Sequence, residues 1–288
     1  MRIIITGSKG QLGRQMYESL KHTHQVLALS KQDLDIGKTK ELERLVRDYA
    51  PQVLINTAAY TRVDEAEKQA DLAYYVNAKA PKAMAGICAA RDILLLHYST
   101  DYVFGGDQKV PYGELDNPAP LNLYGRSKRE GERAVLDYPR SLVLRSSWLY
   151  GEGNNFLRTM LNLARKAKPI RVVSDQIGSP TSVTELSLVS NFLLEQYDSG
   201  ELDRRSAYGL YHASCQGQTS WYGFAQKIFE LAGKTVDLEA ILTSEYPTLA
   251  KRPSYSVLQN NRLETVWNYH MQGWEKALLA FMQEGSQE

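Results

Sequence analysis

The first half of the chain alternates short apolar runs with longer amphipathic segments. The runs RIIIT, QVLAL, QVLIN, DILLLHYS and SLVLRSS are continuously apolar, which is typical of strands covered on both faces. Between the second and third runs, ELERLVRDYAP carries apolar residues at helical spacing before the proline that ends it. This βαβ rhythm predicts an α/β fold with a doubly wound parallel sheet.

The second half of the chain is less regular. Its pattern predicts helices over 154–168, 183–197, 221–233 and near 274–282, with short strands at IRVV and LYHAS. We expect a first domain over 1–150 and a smaller C-terminal α/β lobe over 151–288, with some segments of the lobe returning to the first domain. Pockets commonly form at such junctions.

Composition indicates an ordinary globular protein, with 288 residues of which 43% are hydrophobic and 23% are charged. A formal net charge of +1 gives no general electrostatic reason to expect nucleic acid or an anionic membrane as a partner. The N-terminal apolar run is too short for a signal peptide or a membrane span, so we expect a cytoplasmic protein. Cys88 and Cys215 lack C-x-x-C spacing and predict reduced core residues, and the histidines form no metal-binding motif.

A glycine-rich motif, TGSKGQLG, lies between the first predicted strand and a helix that begins near Gln11. Gly7, Gly10 and Gly13 allow a tight turn and a close approach of backbone N–H groups to a pyrophosphate at the positive end of the helix. A merely tight turn explains one or two glycines but not three. The motif therefore predicts a Rossmann-type NAD(P)-binding domain over 1–150, which leaves 151–288 mainly as a substrate-binding lobe.

The end of the second strand bears on the choice of cofactor. An acidic residue there would hydrogen-bond the adenine ribose and select against a 2′-phosphate, but the chain has Ser30 and Lys31. A hydroxyl and an ammonium suit a phosphate better than a carboxylate does. We predict NADPH as the preferred cofactor, with NADH as the second possibility and a solvated loop lysine as the alternative for Lys31.

Three tyrosines, Tyr17, Tyr75 and Tyr124, have a lysine four residues later. A cationic lysine one helical turn away favours the phenolate and brings the pKa of tyrosine nearer to the working pH. Tyr17 lies on a helix that leads away from the glycine-rich loop, and Tyr75 has apolar companions typical of a packed face. Tyr124 alone follows a strand that ends in hydroxyl residues, at the sheet edge where the cofactor binds. The pattern thus favours Tyr124 and Lys128 as the catalytic pair.

The motifs in their order resemble the extended short-chain dehydrogenase/reductase family, and within it the dTDP-4-dehydrorhamnose reductases. The resemblance covers almost the whole chain, and YSTDYVFGG and DQIGSPT are its more specific elements. It implies NADPH-dependent reduction of the 4-keto group of dTDP-4-dehydro-L-rhamnose to dTDP-L-rhamnose for polysaccharide biosynthesis. Further matching elements are NTAAYTRVDEAE, VNAKAP, PLNLYGRSK, RSSWLYG and RPSYS.

The resemblance also implies roles for single residues. Tyr124 would protonate the oxygen formed as hydride reaches the ketone, Lys128 would hold the nicotinamide ribose, and Thr100 would hydrogen-bond the reacting oxygen. Strand-end capping is the alternative for Thr100 and for its neighbour Ser99. Cofactor contacts are implied at Gln11, Leu12, Asp35, Ile36, Ala58, Ala59 and Tyr60. Substrate contacts are implied at Thr100, Asp101, Trp148, Asn155 and Arg252, with a surface loop position as the alternative for Arg252.

Departures from the family pattern narrow the interpretation. Some members are dimers bridged by magnesium through glutamates, one of them on the first helix, where this chain has Gln15. An amide is a poorer magnesium ligand than a carboxylate, so we predict no metal, and a monomer or a homodimer. A sugar-nucleotide dehydratase or epimerase is one alternative, but the dehydratase pattern places Asp-Glu after Thr100 and this chain has Asp101 and Tyr102. A non-catalytic, NADP-binding regulatory subunit on the same fold is another.

Overall fold

The computed structural model describes residues 1–166 and 168–284, and it is built around a six-stranded parallel sheet. Of the twelve strands in the described residues, six form this sheet, two pair with each other in a separate small sheet, and four are only two residues long. In chain order the strands are β1 (Arg2–Thr6), β2 (Gln25–Leu29), β3 (Val53–Asn56), β4 (Leu94–Thr100), β5 (Ser141–Ser146), β6 (Leu149–Tyr150), β7 (Ile170–Val173), β8 (Ile177–Gly178), β9 (Thr181–Ser182), β10 (Gly209–His212), β11 (Thr219–Ser220) and β12 (Leu238–Ile241).

The large sheet has the strand order β10-β5-β4-β3-β1-β2, and every neighbouring pair is parallel. From β1 the chain first builds outward to β2 and then returns to build β3, β4 and β5 on the other side. This reversal creates a crevice at the carboxyl ends of β1 and β3, which is where ligands bind in doubly wound sheets. The predicted α/β fold with a Rossmann-type parallel sheet is confirmed.

Helices cover both faces of the sheet, and side-chain caps fix where several of them begin. Asn122 accepts the N–H of Gly125 at the start of the helix Leu123–Leu136. Ser182 accepts the N–H of Glu185 at the start of the helix Val183–Asp198. In chain order the helices are α1 (Gln11–Leu20), α2 (Thr39–Tyr49), α3 (Val63–Ala66), α4 (Ala70–Tyr74), α5 (Ala80–Ala89), α6 (Leu123–Leu136), α7 (Phe156–Leu163), α8 (Val183–Asp198), α9 (Glu201–Arg204), α10 (Trp221–Leu231), α11 (Asn261–Trp267) and α12 (Trp274–Glu284).

Two cores lie on opposite faces of the large sheet, which explains why its strands are continuously apolar. Ile3 and Ile5 of β1 pack with α1 and α8, whereas Ile4 between them packs with α2 and α5. All three side chains are fully buried. Each strand thus contributes alternate residues to two separate cores, and a polar residue at either set of positions would lie inside the protein.

The C-terminal part of the chain is divided between two locations. The helices α7, α10 and α12 and the parallel pair β7–β12 enclose a separate core with Phe224 and Leu278 at its centre. In contrast, α8, β10 and α11 belong to the large sheet and its core. LYHAS was predicted as a strand without a place in either part of the fold, and its residues up to His212 belong to β10, the edge strand of the large sheet. The domain division at residue 150 stays a prediction.

Among residues 1–166 and 168–284, no helix is both long enough and apolar enough to cross a bilayer.

Candidate active site

The glycine-rich loop follows β1 and needs glycine for close packing. Gly7 has a φ of 75°, and a Cβ on it would lie 2.6 Å from the backbone nitrogen of Ala58. A Cβ on Gly13 would lie 2.3 Å from the carbonyl oxygen of Gly7. Gly10 caps the N-terminus of α1 with extended backbone and its N–H donates to Gly7. The loop therefore presents bare backbone at a helix N-terminus, which fits a pyrophosphate.

A cavity of about 500 Å³ opens beside this loop at the carboxyl ends of the strands β1, β2 and β3; we call it the cofactor cavity. Apolar side chains of Leu72 and Val76 form part of its wall, which suits the flat face of an adenine. Most of the predicted cofactor residues line it. They are Gly7, Gly10, Ser30, Asp35, Ile36, Ala58, Ala59 and Tyr60.

The hydroxyl and the backbone N–H of Ser30 are both engaged by the side chain of Asp33. Its hydroxyl donates to Asp33 at 2.6 Å and its backbone N–H donates to the same carboxylate oxygen at 2.8 Å. These hydrogen bonds hold the pKa of Asp33 below its usual value. The cations beside the cofactor cavity are Lys9, Lys31 and Arg62, of which Lys9 was missed although it lies within the glycine-rich motif. A lysine at this place is the signal that sequence reasoning could have used.

A second cavity, of about 640 Å³, shares Lys9, Gly10 and Ala59 with the first and reaches the end of β4; we call it the catalytic cavity. It brings together residues that are far apart in the chain. The predicted residues that line it are Gly10, Gln11, Leu12, Ala59, Thr100, Asp101, Tyr124, Lys128 and Trp148.

Tyr124 and Lys128 lie one turn apart on α6. Burial raises the pKa of Tyr124 to about 12, while the neighbouring Thr100 hydroxyl opposes the shift. Burial also lowers the pKa of Lys128 to about 8, against the charge of Glu132. The expected decrease in the pKa of Tyr124 is absent because burial outweighs other effects, and the Lys128 ammonium donates to the carbonyl of Tyr98 at 2.5 Å. Tyr124 is therefore protonated at neutral pH, as a proton donor must be.

Thr100 ends β4 and begins a chain of hydroxyl and carboxylate contacts. Its hydroxyl donates to Asp101 Oδ1 at 3.0 Å and accepts the N–H of Tyr102. Asp101 is 2% exposed, and its Oδ2 accepts the hydroxyl of Ser256 at 2.6 Å. Burial raises the pKa of Asp101 to about 6, although both hydroxyls act to lower it. Asp101 thus lines the catalytic cavity together with Thr100 and Tyr124.

Ser99, the other predicted hydroxyl, is part of a buried ionic network. It donates to Glu132 at 2.9 Å, and Arg145 donates to both oxygens of the same carboxylate at 2.8 and 2.6 Å. Burial acts to raise the pKa of Glu132, but the hydrogen bonds and charge of Arg145 outweigh it and leave the pKa below its usual value. Glu132 lies one turn after Lys128, so continuing the spacing from Tyr124 would have pointed to it.

Comparison with known proteins now decides the family. The family model described as RmlD substrate binding domain matches residues 1–287. The chain is 40% identical to the dTDP-4-dehydrorhamnose reductase of Aggregatibacter actinomycetemcomitans, over 96% of this chain and 97% of that protein. The chain belongs to the dTDP-4-dehydrorhamnose reductase family.

Solved structures of the same family share the fold over their full length. The dTDP-4-dehydrorhamnose reductase of Clostridium acetobutylicum has a TM-score of 0.93 and 40% identity, covering 99% of this chain and 100% of that one. The enzyme from Bacillus anthracis in complex with NADP also has a TM-score of 0.93 and 40% identity, covering 98% of this chain and 99% of that one.

Three predicted residues lie outside both cavities in this family member: Gly13, predicted from the glycine-rich motif, and Asn155 and Arg252, predicted from the family resemblance. Gly13 packs behind the glycine-rich loop, as described above. Asn155 caps α7 and donates to the side chain of Gln11 at 2.8 Å, so it supports a cavity residue. Arg252 forms a two-pronged ion pair with Asp64, at 2.6 and 3.1 Å. That guanidinium holds the pKa of Asp64 below its usual range.

Two tryptophans form one wall of the catalytic cavity in this reductase-family chain. Trp148 stacks on Trp221, the first residue of α10, with ring centres 3.5 Å apart and planes within 6°. Trp148 has a φ of 45°, and Gly178 packs so closely that a Cβ would lie 2.4 Å from its indole. Sequence reasoning missed Trp221, because stacking between distant segments leaves no local pattern.

A buried asparagine supports the loop after β3. Asn77 lies in a π-helical turn, Tyr75–Lys79, between α4 and α5. Its side chain accepts the N–H of Tyr60 at 2.8 Å and donates to the Tyr60 carbonyl and to Ser127 at 3.0 Å. Tyr60 lines the cofactor cavity and Ser127 lies on α6. Asn77 therefore connects the loop after β3, which we call the cofactor loop, with α6, the helix that carries Tyr124.

The two other tyrosines with a lysine four residues later, Tyr17 and Tyr75, have different surroundings. Lys21 lies over the ring of Tyr17 at 5.7 Å, on the helix that leads away from the glycine-rich loop. Tyr75 packs against Gly37, where a Cβ would overlap the tyrosine ring. Neither tyrosine lines the catalytic cavity. In both cases the spacing to a lysine arises from an ordinary position on a helix, at its surface for Tyr17 and in a packing contact for Tyr75.

Proposed function

We propose that this protein reduces the 4-keto group of dTDP-4-dehydro-L-rhamnose to give dTDP-L-rhamnose, with NADPH as the cofactor, for polysaccharide biosynthesis. The observation that carries the proposal is the catalytic cavity, in which Tyr124, Lys128 and Thr100 meet beside the glycine-rich loop. The chain's membership of the dTDP-4-dehydrorhamnose reductase family supplies the substrate class.

The residues of the cofactor cavity fit a dinucleotide phosphate. The N-terminus of α1, with Gln11 and Leu12, would hold the pyrophosphate, and Lys9 and Lys31 would pair with the 2′-phosphate in place of the engaged Ser30 hydroxyl. Bound NADPH supplies the hydride that the ketone carbon receives. The apolar wall near Ile36 would hold the adenine, with Asp35 beside it. Ala58, Ala59 and Tyr60 would line the nucleotide at the end of β3.

Tyr124 would give its hydroxyl proton to the ketone oxygen as that oxygen gains charge. Its raised pKa keeps the proton available at neutral pH. Lys128 would hold the nicotinamide ribose and stabilise the phenolate that remains, since its ammonium is largely charged at pH 7 with a pKa of about 8. Thr100 would hydrogen-bond the same oxygen from the end of β4, with its one hydroxyl hydrogen shared between that oxygen and Asp101 Oδ1.

The substrate side is proposed from residues around the catalytic cavity. Asp101 and Trp148 would contact the sugar nucleotide directly, and Asn155 would act through its bond to Gln11. Arg252 would break its ion pair with Asp64 and bind the diphosphate of the sugar nucleotide. We propose residues 1–150 as the NAD(P)-binding domain and 151–288 mainly as the substrate-binding lobe.

We further propose a cytoplasmic protein that acts as a monomer or a homodimer, without nucleic-acid or membrane partners and without a bound metal. The buried cysteines Cys88 and Cys215 are free thiols that are not joined in a disulfide, as fits a reducing compartment. The amide of Gln15 remains a poor ligand for a bridging magnesium. Light scattering with and without a chelator measures the oligomeric state.

The decisive test is NADPH oxidation by the purified protein with dTDP-4-dehydro-L-rhamnose, followed by identification of the sugar formed. We expect NADPH loss matched by dTDP-L-rhamnose, with turnover that needs Tyr124. A dehydratase or epimerase would release a sugar without net NADPH oxidation. A non-catalytic subunit would bind NADPH and leave both compounds unchanged, and either result would refute the proposal.

A further inference from the structure

Residues 250–258, which we call the strap, connect the C-terminal lobe with the catalytic strand end. The backbone of Ser256 donates to the carbonyl of Ile177, and that of Ile177 donates to Ser254, each at 2.8 Å. On the other side, the hydroxyl of Ser254 donates to the carbonyl of Gly106 at 2.8 Å. The strap is thus anchored both to β8 and to the loop that follows β4.

One hydroxyl of the strap reaches the site itself. Ser256 is 2% exposed and donates to Asp101 Oδ2 at 2.6 Å, while Thr100 donates to the other oxygen at 3.0 Å. Among the residues that the structure describes, no lysine or arginine forms an ion pair with Asp101. The buried carboxylate receives its side-chain hydrogen bonds from these two hydroxyls, one on each oxygen, in addition to the backbone N–H groups of Asp101 and Tyr102.

The Asp101 carboxylate also controls the direction of the Thr100 hydroxyl. A hydroxyl hydrogen rotates toward the best acceptor available, and a charged oxygen at 3.0 Å is such an acceptor. A carboxylate held by one donor on each oxygen has a fixed plane. If the donor from the strap is lost, the carboxylate can turn and the Thr100 hydroxyl turns with it, beside Tyr124.

We propose that Ser256 is a positioning residue for the ketone reduction, which it serves by holding Asp101 and, through Asp101, the hydroxyl of Thr100. The inference rests on the proposed function, because it concerns how the same cavity is kept in order. Ser256 makes this contact from a segment 155 residues away in the chain. The lobe that binds the sugar nucleotide is thereby joined to the residues that act on the ketone.

The charged and titratable groups around Asp101 define a pH readout. Tyr102 and Tyr124 face it, and the ion pair of Arg252 with Asp64 lies beyond Tyr102. The ionised carboxylate is the form that accepts both hydroxyls, so turnover falls as the pH drops through the pKa of Asp101. Removal of Ser256 takes away a donor that lowers this pKa. The acid limb of the turnover profile then moves to higher pH.

The test compares Ser256→Ala with Ser254→Ala, which removes a similar hydrogen bond of the same strap but one that ends on a backbone carbonyl. For Ser256→Ala we expect kcat to fall about 10- to 100-fold, as for loss of a hydrogen bond to a charged group, with the acid limb shifted upward. The KM for NADPH should change little. Ser254→Ala should keep the wild-type kcat and acid limb while losing comparable thermal stability.

A double-mutant cycle separates action through Asp101 from general loosening. In an Asp101→Asn background, Ser256→Ala should cost little more. Equal kcat values for Ser256→Ala and Ser254→Ala, or multiplicative effects in the cycle, would overturn the inference. An inactive wild-type protein would instead refute the proposed function. If Ser256→Ala fails to fold, Ser256→Cys keeps the volume with a much weaker donor and undergoes the same comparison.

Discussion

The hydroxyl of Tyr124 differs from those of Tyr17 and Tyr75 in what surrounds it. It belongs to a half-buried side chain that lines the catalytic cavity together with Thr100, and its pKa is raised. Replacement of Tyr124 by Phe removes this proton donor and little volume. We expect turnover to fall about 10²- to 10⁴-fold while NADPH still binds, as measured by steady-state kinetics and by titration of cofactor fluorescence.

The matched controls are Tyr17→Phe and Tyr75→Phe, which have the same spacing to a lysine. Both should keep turnover near that of the wild type. A folded Tyr124→Phe protein with near-normal turnover would contradict the assignment and the mechanism built on it.

The ion pair of Arg252 with Asp64 gives a second prediction for single residues. If the guanidinium leaves Asp64 to bind the diphosphate, Asp64 competes with the substrate for it. Arg252→Ala should raise the KM for the sugar nucleotide more than it lowers kcat, because the contact is to a non-reacting group. Asp64→Asn should lower that KM. An increase in KM for both variants would mean that the pair only braces the strap.

At the scale of elements, the π-helical turn Tyr75–Lys79 positions Asn77 where a regular helix would carry it elsewhere. Asn77→Ala leaves the buried N–H and carbonyl of Tyr60 without their partner. We expect a loss of about 1–3 kcal/mol in the free energy of unfolding, measured with urea, and weaker NADPH binding.

Ser127→Ala is the control for Asn77. It removes the third hydrogen bond of the asparagine and the hydrogen bond from Ser127 to the Tyr124 carbonyl within α6, and it leaves the contacts with Tyr60 intact. NADPH affinity should therefore be close to that of the wild type. Equal loss of affinity in both variants would show that the turn acts on α6 rather than on the cofactor loop.

The strands of the large sheet were predictable, whereas the π-helical turn and several short strands were not. Ile3, Ile4 and Ile5 signal burial on both faces, and that signal is local to the run. β12 is one strand of a two-stranded pair with two exposed residues, so its pattern is weak. LYHAS was predicted as a strand, but its place beside β5 was not predictable, because that pairing joins segments that are far apart in the chain.

At the scale of the whole molecule, Glu132 and Arg145 join α6 to β5, and Ser99 adds β4. Arg145 also lies 3.2 Å from a ring nitrogen of His212 on β10. Arg145→Met leaves the carboxylate of Glu132 buried without its main partner. We expect a loss of about 3–5 kcal/mol in the free energy of unfolding, measured by urea denaturation.

Two comparisons test that interpretation. The double variant Glu132→Leu with Arg145→Met buries no charge and should recover much of the stability. Arg47→Ala, which breaks an exposed pair with Asp48, should leave the unfolding midpoint unchanged. A stability loss in Arg145→Met no larger than that in Arg47→Ala would contradict the structural role.

Sequence reasoning found the candidate site only in part. Tyr124, Lys128 and Thr100 lie on consecutive elements whose ends meet at one sheet edge, so topology was enough to bring them together. Ser256 and Trp221 come from segments far along the chain from Tyr124 that reach the site through tertiary packing. Their places depend on side-chain packing across the molecule, which no local spacing encodes.

The stacked indoles of Trp148 and Trp221 make the catalytic cavity optically responsive. Rings 3.5 Å apart share their excited states, so their emission is altered as long as the stack persists. A sugar nucleotide that parts the rings should change the intrinsic fluorescence in a saturable manner, and Trp221→Phe should abolish that change. With that response the protein would carry its own probe of substrate entry, and binding could be followed in real time without a label or a turnover assay.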